Sequence, residues 1–222
     1  MVKKKSATAR LSKKPKARDQ DTEQRILDAA HVVFVRRGTA GARMQEIADE
    51  ANVNKALLHY YFRNKDRLAQ AVFQRVAVAV FGRIAQVLMS ASELEDKVRG
   101  IITIYFDQFA KTPYAPGYII SEVNLHPERA GQFIELLSRT GASPTKIVSL
   151  LQSQIDARVR AGTLREIAAD QFFTNLVSLC VFPFAAKPLL SAVLQLDEAG
   201  FRGYIERRKT ALPRFYLDAL RP

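Results

Sequence analysis

The chain contains few of the residues that supply metal ligands, disulfides or nucleophiles. It has 222 residues, with one cysteine, no tryptophan and three histidines. The lone Cys180 excludes an internal disulfide, which suits a reducing cytosol. His31, His59 and His126 are scattered singly, without a His-x-x-x-His or Cys-x-x-Cys spacing. We therefore expect no metal site and no other cofactor.

Several other patterns are missing from the sequence. No GxGxxG or Walker loop occurs, and Cys180 in an apolar helix indicates a buried filler. Glu122 and His126 have the spacing of a helix-surface pair, and no nucleophile motif accompanies them, so an enzyme is not expected. No uncharged apolar run approaches the roughly 18 residues of a membrane span, and no apolar signal-peptide core follows the basic N-terminus. We expect a cytoplasmic protein without a membrane partner.

Positive charge is concentrated at the start of the chain. Residues 1–18 hold eight Lys and Arg and no acid, whereas the rest of the chain holds 26 bases and 22 acids. Charges of one sign at this density cannot pack together, so we predict a disordered basic arm over residues 1–18. The arm suits contact with phosphates or a minor groove. A solubilising leader without a specific role is the alternative interpretation.

A helix, a tight turn and a second helix are indicated between Arg43 and Asp66. Met44, Ile47 and Ala48 recur at helical spacing in the first of these helices. Asn54 is a good N-cap for the second helix, which is predicted to span about residues 55–62. Leu58 and Phe62 point to one side of it, and the other side carries small, apolar and aromatic residues: Ala56, Leu57, His59 and Tyr60. Such a helix face can enter a major groove.

This segment resembles the helix-turn-helix of the TetR family of bacterial transcriptional repressors. The matching motifs are Ile47-Ala48, Ala51-Asn52-Val53, Asn54-Lys55-Ala56, Leu58-His59-Tyr60-Tyr61-Phe62 and Lys65-Asp66-Arg67-Leu68. The preceding helix, predicted over Thr22–Arg37 and ending at Gly38, also has the expected spacing. The resemblance covers about residues 21–70, and beyond them it extends only to length and helical layout.

Geometry and the resemblance together give the predicted DNA contacts. Lys55 can donate to guanine or to a phosphate, and the small Ala56 lets the backbone approach a base edge. Leu57 is predicted to be an exposed apolar residue that contacts a thymine methyl. Phosphate contacts are expected from Tyr60, Tyr61 and Lys65. The resemblance also implies a base contact from Gln45. The complete predicted set is Arg43, Gln45, Lys55, Ala56, Leu57, His59, Tyr60, Tyr61 and Lys65, with Arg43 standing where relatives usually have a capping hydroxyl.

The rest of the chain is predicted to form a series of helices, because strand signals are weak throughout. We predict an all-α fold with a basic arm (1–18), a three-helix DNA-binding domain (19–70) and a larger helical domain (71–222). The apolar helix Phe172–Phe182 and the helix Phe201–Leu220 are predicted to form a homodimer. The second of them would keep Tyr204, Ile205 and Leu212 on one side, with the charged run 206–209 facing outward.

The resemblance implies that the larger domain holds an effector in an apolar cavity. The residues predicted to bind it are Tyr105, Phe109, Tyr118, Glu122 and Phe173. The resulting interpretation is a homodimeric repressor that binds a pseudo-palindromic operator and is released by a small apolar effector. A DNA-bound architectural or cell-division control protein without an effector is the alternative, and ligand-dependent release from DNA would distinguish the two.

Overall fold

The computed structural model describes residues 15–139 and 141–222, which form α-helices and contain no β-strand. The predicted all-α fold is therefore confirmed. The chain divides after Ala69 into two compact units, each described by itself below. The helices are α1 (Pro15–Gly41), α2 (Met44–Glu50), α3 (Lys55–Phe62), α4 (Lys65–Ala77), α5 (Arg83–Met89), α6 (Leu94–Lys111), α7 (Ala115–Leu125), α8 (Pro127–Ser138), α9 (Pro144–Arg160), α10 (Ala169–Ala185), α11 (Lys187–Val193) and α12 (Glu198–Asp218).

In the smaller unit, helix α1 begins earlier than predicted. It starts at Pro15 rather than at Thr22, because the fixed φ of proline suits the first position of a helix. The prediction of a disordered arm is thus wrong for residues 15–18, and the remaining arm residues lie outside the described range. The core of this unit consists of buried apolar residues from all four of its helices: Ile26, Ala30, Val33, Phe34, Ile47, Ala48, Leu58, Phe62 and Leu68.

Gly38 interrupts the regular helix at the predicted place. Its backbone has φ 67° and ψ 159°, a combination that is essentially restricted to glycine. The chain continues to Gly41 in helical conformation and then enters α2 through Ala42 and Arg43. Gly38 therefore sets the bend between the main part of α1 and the segment that leads into α2.

The larger unit is organised around helix α6. It packs against α5, α9, α10 and α12, and its buried face includes Ile101, Ile102, Tyr105, Phe106 and Phe109. The rings of Phe106 and Phe109 each meet the ring of Phe184 on α10 at centroid distances of 5.5 and 5.4 Å. The aromatic residues of α6 thus form the centre of this core.

The stretch Lys65–Met89 is a nearly continuous helix, in which a π-helical turn (Val78–Gly82) joins α4 to α5. Among the described residues it is long and apolar enough to span a membrane by length and composition, and the pair α10–α11, bent by 74°, passes the same test together. Val80, Ile84 and Leu88 are buried in the core of the larger unit, as the apolar face of a core helix requires.

Helix α10 runs through Pro183, although proline in the interior of a helix usually kinks or ends it. Proline has no N–H to donate to the carbonyl four residues earlier, which here belongs to Leu179. The Arg208 guanidinium of α12 donates to that carbonyl oxygen at 3.1 Å. Arg208 thus replaces the missing backbone hydrogen bond, and the helix ends only at Ala185.

Gly38 and Gly41 give a matched test of this backbone geometry. Gly38→Ala should lower the free energy of unfolding of the smaller unit by about 1–3 kcal/mol, because alanine is strained at this φ and ψ. Gly41→Ala should raise it by up to about 1 kcal/mol, since its Cβ would only touch Arg37 Cβ at 3.8 Å. Urea denaturation followed by circular dichroism measures both. Equal effects of the two substitutions would contradict the assigned role of Gly38.

Candidate DNA-binding surface and ligand cavity

The turn between α2 and α3 is held by three local features. Asn52 has φ +52°, a left-handed conformation that asparagine tolerates better than most residues. Arg25 of α1 donates to the carbonyl oxygens of Ala51 at 2.7 Å and Asn52 at 3.2 Å. Asn54 then caps α3, as predicted, with its side-chain oxygen 2.7 Å from the backbone nitrogen of Leu57. Together they fix where α3 begins and how it leaves the turn.

Helix α3 has one buried and one exposed side. Leu58 and Phe62 are buried in the core of the smaller unit. The four exposed side chains lie within an arc of about 140° at about 100° per residue: Lys55, Ala56, His59 and Tyr60. Tyr60 is 78% exposed. This face thus combines a cation, a small residue, an imidazole and a phenol, with no acidic side chain within it.

Leu57 and Tyr61 lie at the borders of this face. Leu57 is half-buried, so the prediction that it is an exposed apolar residue is wrong, because it lies next to the core side of the helix. The Tyr61 hydroxyl donates to Asp19 Oδ1 of α1 at 2.9 Å. Desolvation and the bond to Asp19 raise the pKa of Tyr61. Its single proton is committed within the protein, unlike that of Tyr60.

The other predicted contact residues have partners of their own. Lys65 Nζ donates to the carbonyl oxygens of Ala40 at 2.9 Å and Ala42 at 3.1 Å. Two of its three protons therefore hold the end of α1. On α2, the Gln45 amide donates to Asp49 Oδ1 at 2.8 Å.

His59 and Arg43 are both exposed. The His59 Nδ1 lies 2.9 Å from the Arg63 carbonyl oxygen. Because a carbonyl oxygen only accepts, Nδ1 is the donor in this hydrogen bond, and the other ring nitrogen, Nε2, does not take part in it. Arg43 occupies the N-cap position of α2 without making a side-chain cap. The Arg43 guanidinium therefore does not cap α2, whereas a hydroxyl residue at this position would.

Two further residues near α3 were missed from the sequence. Asn64 caps α4, with its side-chain oxygen 2.9 Å from the Arg67 backbone nitrogen. The signal was present, since Asn64 precedes a helix just as Asn54 does. Arg63 is exposed and has φ +56°. It follows the exposed face of α3 at helical spacing from His59, and it adds a cation at the end of the helix opposite Lys55.

The larger unit contains an apolar cavity of about 490 Å³. Its lining includes the aromatic residues Phe73, Phe81, Tyr105, Phe133 and Phe173. A second cavity of about 390 Å³ shares Phe81, Tyr105, Ile119 and Val177 with the first. The two cavities therefore adjoin, and both volumes fall within the range of roughly 300–1,000 Å³ typical of small-molecule sites.

The predicted ligand-binding residues are divided between these cavities and the core. Tyr105 lines both cavities, Phe173 the larger one and Phe109 the smaller one. Tyr118 and Glu122 line neither of the two. Both of these residues are buried elsewhere in the unit.

Glu122 forms a buried ion pair with Arg129 of α8. The prediction of a surface pair with His126 is wrong, since His126 lies 3.4 Å from Glu128 instead. The chain turns between Leu125 and Pro127, and this turn places Arg129 against the preceding helix. Cys180 is fully buried, and this burial raises the pKa of its thiol to about 12, which agrees with the prediction of a packed residue.

Helices α10 and α12 present a partly apolar outer surface. Phe182 and Phe215 are 55% and 62% exposed. The groove beside Phe215 is lined by Leu179, Tyr204 and Ala211 together with the cations Arg207 and Arg208. Ile205 and Leu212 were predicted on this side, but both lie in the core of the unit.

The charged run of α12 is also arranged differently from the prediction. Glu206 and Arg207 are exposed, whereas Arg208 reaches the Leu179 carbonyl and Lys209 pairs with Asp107. The prediction that the whole run faces outward is therefore wrong for its second half. Each inward residue has a partner far away in the sequence, which helical spacing does not reveal.

Comparison with known proteins identifies the helical unit that presents α3. Residues 26–72 match the model of bacterial regulatory proteins of the tetR family. The repressor NicS of Pseudomonas putida is 26% identical over 80% of this chain and 82% of its own. The repressor SCO4008 of Streptomyces coelicolor is 35% identical over 44% of this chain and 47% of its own.

Solved structures share the fold of the chain. The regulator SCO4942 of Streptomyces coelicolor has a TM-score of 0.62 at 22% identity and covers 90% of this chain and 99% of its own. A putative fatty acid metabolism regulator of Clostridium perfringens has a TM-score of 0.65 at 16% identity, covering 88% and 98%. The matched helix-turn-helix and the curated relatives, together with the shared fold, support a TetR-family transcriptional regulator.

Proposed function

We propose that this regulator is a cytoplasmic homodimeric repressor that binds a pseudo-palindromic operator and is released by a small apolar effector. The observation that carries the proposal is the exposed face of α3, on which Lys55, Ala56, His59 and Tyr60 lie together without an acidic neighbour on that face. A face of this composition suits base edges and phosphates in a major groove. NicS and SCO4008 are named repressors, which supports repression as the mode of action.

The proposed contacts fall into two groups. Lys55, Ala56 and His59 lie towards the start and middle of the exposed face and are the proposed base-reading residues, with Leu57 at the border of the face. Tyr60 and Arg43 are proposed to contact phosphates, which position the protein without reading sequence. Tyr61, Lys65 and Gln45 are weaker candidates, because each already donates to a group of the protein.

The proposed dimer interface is the surface of α10 and α12 that carries Phe182 and Phe215. Two large apolar side chains more than half exposed, beside a groove lined by Leu179 and Tyr204, are typical of a surface that another protein covers. Pairing through two helices of each protomer would give a four-helix interface. The dimer would then present two copies of α3 to one operator.

The proposed effector site is the pair of adjoining cavities in the larger unit. A ligand that fits them in only one conformational state of the dimer would favour that state, and the spacing of the two α3 helices would change with it. An effector-independent architectural protein stays the alternative. The apolar cavities favour the ligand-responsive proposal over that alternative.

We expect footprinting at saturating protein to show two half-sites with centres about one helical turn apart, or slightly more. DNA fragments that the protein selects from the genome of its host would provide the operator. A host-cell extract that contains the effector should release the protein from this DNA. The control is DNA of scrambled half-sites. Protection of a single asymmetric half-site would refute the homodimeric mode, whereas binding that no extract reverses would favour the architectural protein.

Tyr60→Phe and Tyr61→Phe test which tyrosine contacts DNA. Each protomer of the dimer would lose one hydrogen bond to a phosphate, so the affinity of the Tyr60 variant should fall about 5- to 150-fold for all sequences alike. Tyr61→Phe should leave DNA affinity closer to wild type, because its hydroxyl donates to Asp19. Binding titrations against operator and scrambled DNA measure both. A larger loss for Tyr61→Phe than for Tyr60→Phe would reverse the assignment.

Phe215→Asp tests the proposed dimer surface. This substitution removes a large apolar side chain and would place a carboxylate within the dimer interface, which costs desolvation, so we expect monomers that bind the operator weakly. Thr210→Asp adds the same charge on a side of α12 far from Phe215 and should stay dimeric. Light scattering after size-exclusion chromatography gives the masses. Dimers of the Phe215 variant at micromolar concentration would exclude this surface as the interface.

A further inference from the structure

The lining of the two cavities restricts the charge of any ligand that they hold. Among the described residues, no Lys, Arg or His lines either cavity, and the one charged side chain is Asp170. Asp170 is exposed near the start of α10, and its Oδ1 accepts from the Gln171 backbone N–H at 2.6 Å. A carboxylate or phosphate bound inside would lose its hydration without meeting an opposite charge. The cavities therefore disfavour anions.

One polar group does lie deep within this apolar lining. Tyr105 is fully buried, and its hydroxyl has no hydrogen-bond partner among the described residues. Most buried hydroxyls are paired, so an unpaired hydroxyl on a residue that lines both cavities is a candidate partner for a ligand. Burial raises the pKa of Tyr105 well above its usual range. The hydroxyl stays neutral and can donate one hydrogen bond to a ligand oxygen.

The position of Tyr105 also indicates where that oxygen would be in the ligand. Tyr105 belongs to the lining of both cavities, together with Phe81, whose ring it meets edge-on at 6.5 Å. The larger cavity extends from this junction towards Phe133 and Phe173, and the smaller one towards Phe109 and Phe182. A ligand occupying both would have apolar parts on either side of the junction and its polar atom between them.

We propose that the effector is an uncharged, elongated and mainly hydrocarbon molecule with an internal ketone, ester or alcohol oxygen that binds the Tyr105 hydroxyl. This inference rests on the effector cavity of the proposed function and specifies its ligand class. The hydrocarbon parts would supply most of the affinity by leaving water. The single hydrogen bond would set the position of the ligand along the two cavities.

The test uses the full chain and four known compounds. Diphenylhexatriene, an elongated fluorescent hydrocarbon without hydrogen-bonding groups, reports occupancy of the cavities. Competitors of equal chain length then compare charge: 6-undecanone, undecanoate and undecylamine. We expect 6-undecanone to displace the dye at concentrations at least about ten times lower than undecanoate, which would meet no cation inside. Undecylamine should also compete less well than the ketone, because the one counter-charge in the lining is the exposed Asp170.

Two tyrosine variants test the role of the hydroxyl. Tyr105→Phe should weaken binding of 6-undecanone about 2- to 12-fold, the effect of one hydrogen bond, and should leave the affinity for diphenylhexatriene unchanged. Tyr216→Phe is the matched control, since its buried hydroxyl donates to the Phe172 carbonyl oxygen at 2.5 Å and lines neither cavity. It should change neither affinity.

A second pair of variants separates failure of this inference from failure of the cavity itself. Ala130→Phe fills the larger cavity, whose lining includes Ala130, and should weaken dye binding, whereas Ala161→Phe at the exposed end of α9 should not. If the dye does not bind, or if Ala130→Phe does not affect its binding, the proposal of an effector cavity is refuted, and the proposed ligand class is refuted with it. If the dye binds there but undecanoate competes as well as 6-undecanone, or if Tyr105→Phe binds the ketone normally, the ligand class is refuted and the cavity stands.

Discussion

The burial of Leu58 and Phe62 is the interaction on which the proposed DNA-binding surface depends. Helix α3 has eight residues, which is too few for stability as an isolated helix in water. Two buried side chains of this size contribute about 1.5–3 kcal/mol each, and the Asn54 cap adds about 1 kcal/mol. Since these contacts lie on one side of the helix, the residues on the opposite side are not needed for the core and are available for recognition.

The turn before α3 shows how a distant residue completes a local motif. Backbone carbonyls at the end of α2 need hydrogen-bond donors that the next helix cannot supply. Arg25, more than twenty residues earlier, donates to two of them. The orientation of α3 relative to α1 is thereby linked to a side chain outside the helix-turn-helix itself. The same principle recurs in the larger unit, where Arg208 donates to the carbonyl that Pro183 leaves unpaired.

The sequence predicted those features that depend on neighbours along the chain. The all-helical fold, the bounds of α3, its Asn54 cap and the buried positions Leu58 and Phe62 follow from helical spacing and capping chemistry. Features that depend on tertiary partners were not predictable in this way. Helical spacing does not reveal which residues of different helices come together. Three such contacts are the Tyr61–Asp19 bond, the Lys65 contacts with the end of α1 and the Glu122–Arg129 pair.

The proposed effector cavity also shows what spacing along the chain leaves undetermined. The aromatic richness of the larger unit indicated an apolar interior, but which rings face a cavity depends on how α6, α8 and α10 pack. Tyr105 and Phe173 were correctly expected to lie where a cavity is, whereas Tyr118 packs away from both cavities. Residues of the same type, such as Tyr105 and Tyr118, therefore have different surroundings, and these depend on how the helices pack.

The burial of the single cysteine provides a reporter of motion in the larger unit. Cys180 is fully enclosed, and the thiolate that reacts with alkylating reagents is rare at neutral pH because of its raised pKa. Alkylation of the native protein thus requires α10 to separate transiently from the helices around it. The rate of this reaction measures how often the unit opens, and it can be followed by mass spectrometry without introducing any label or second cysteine.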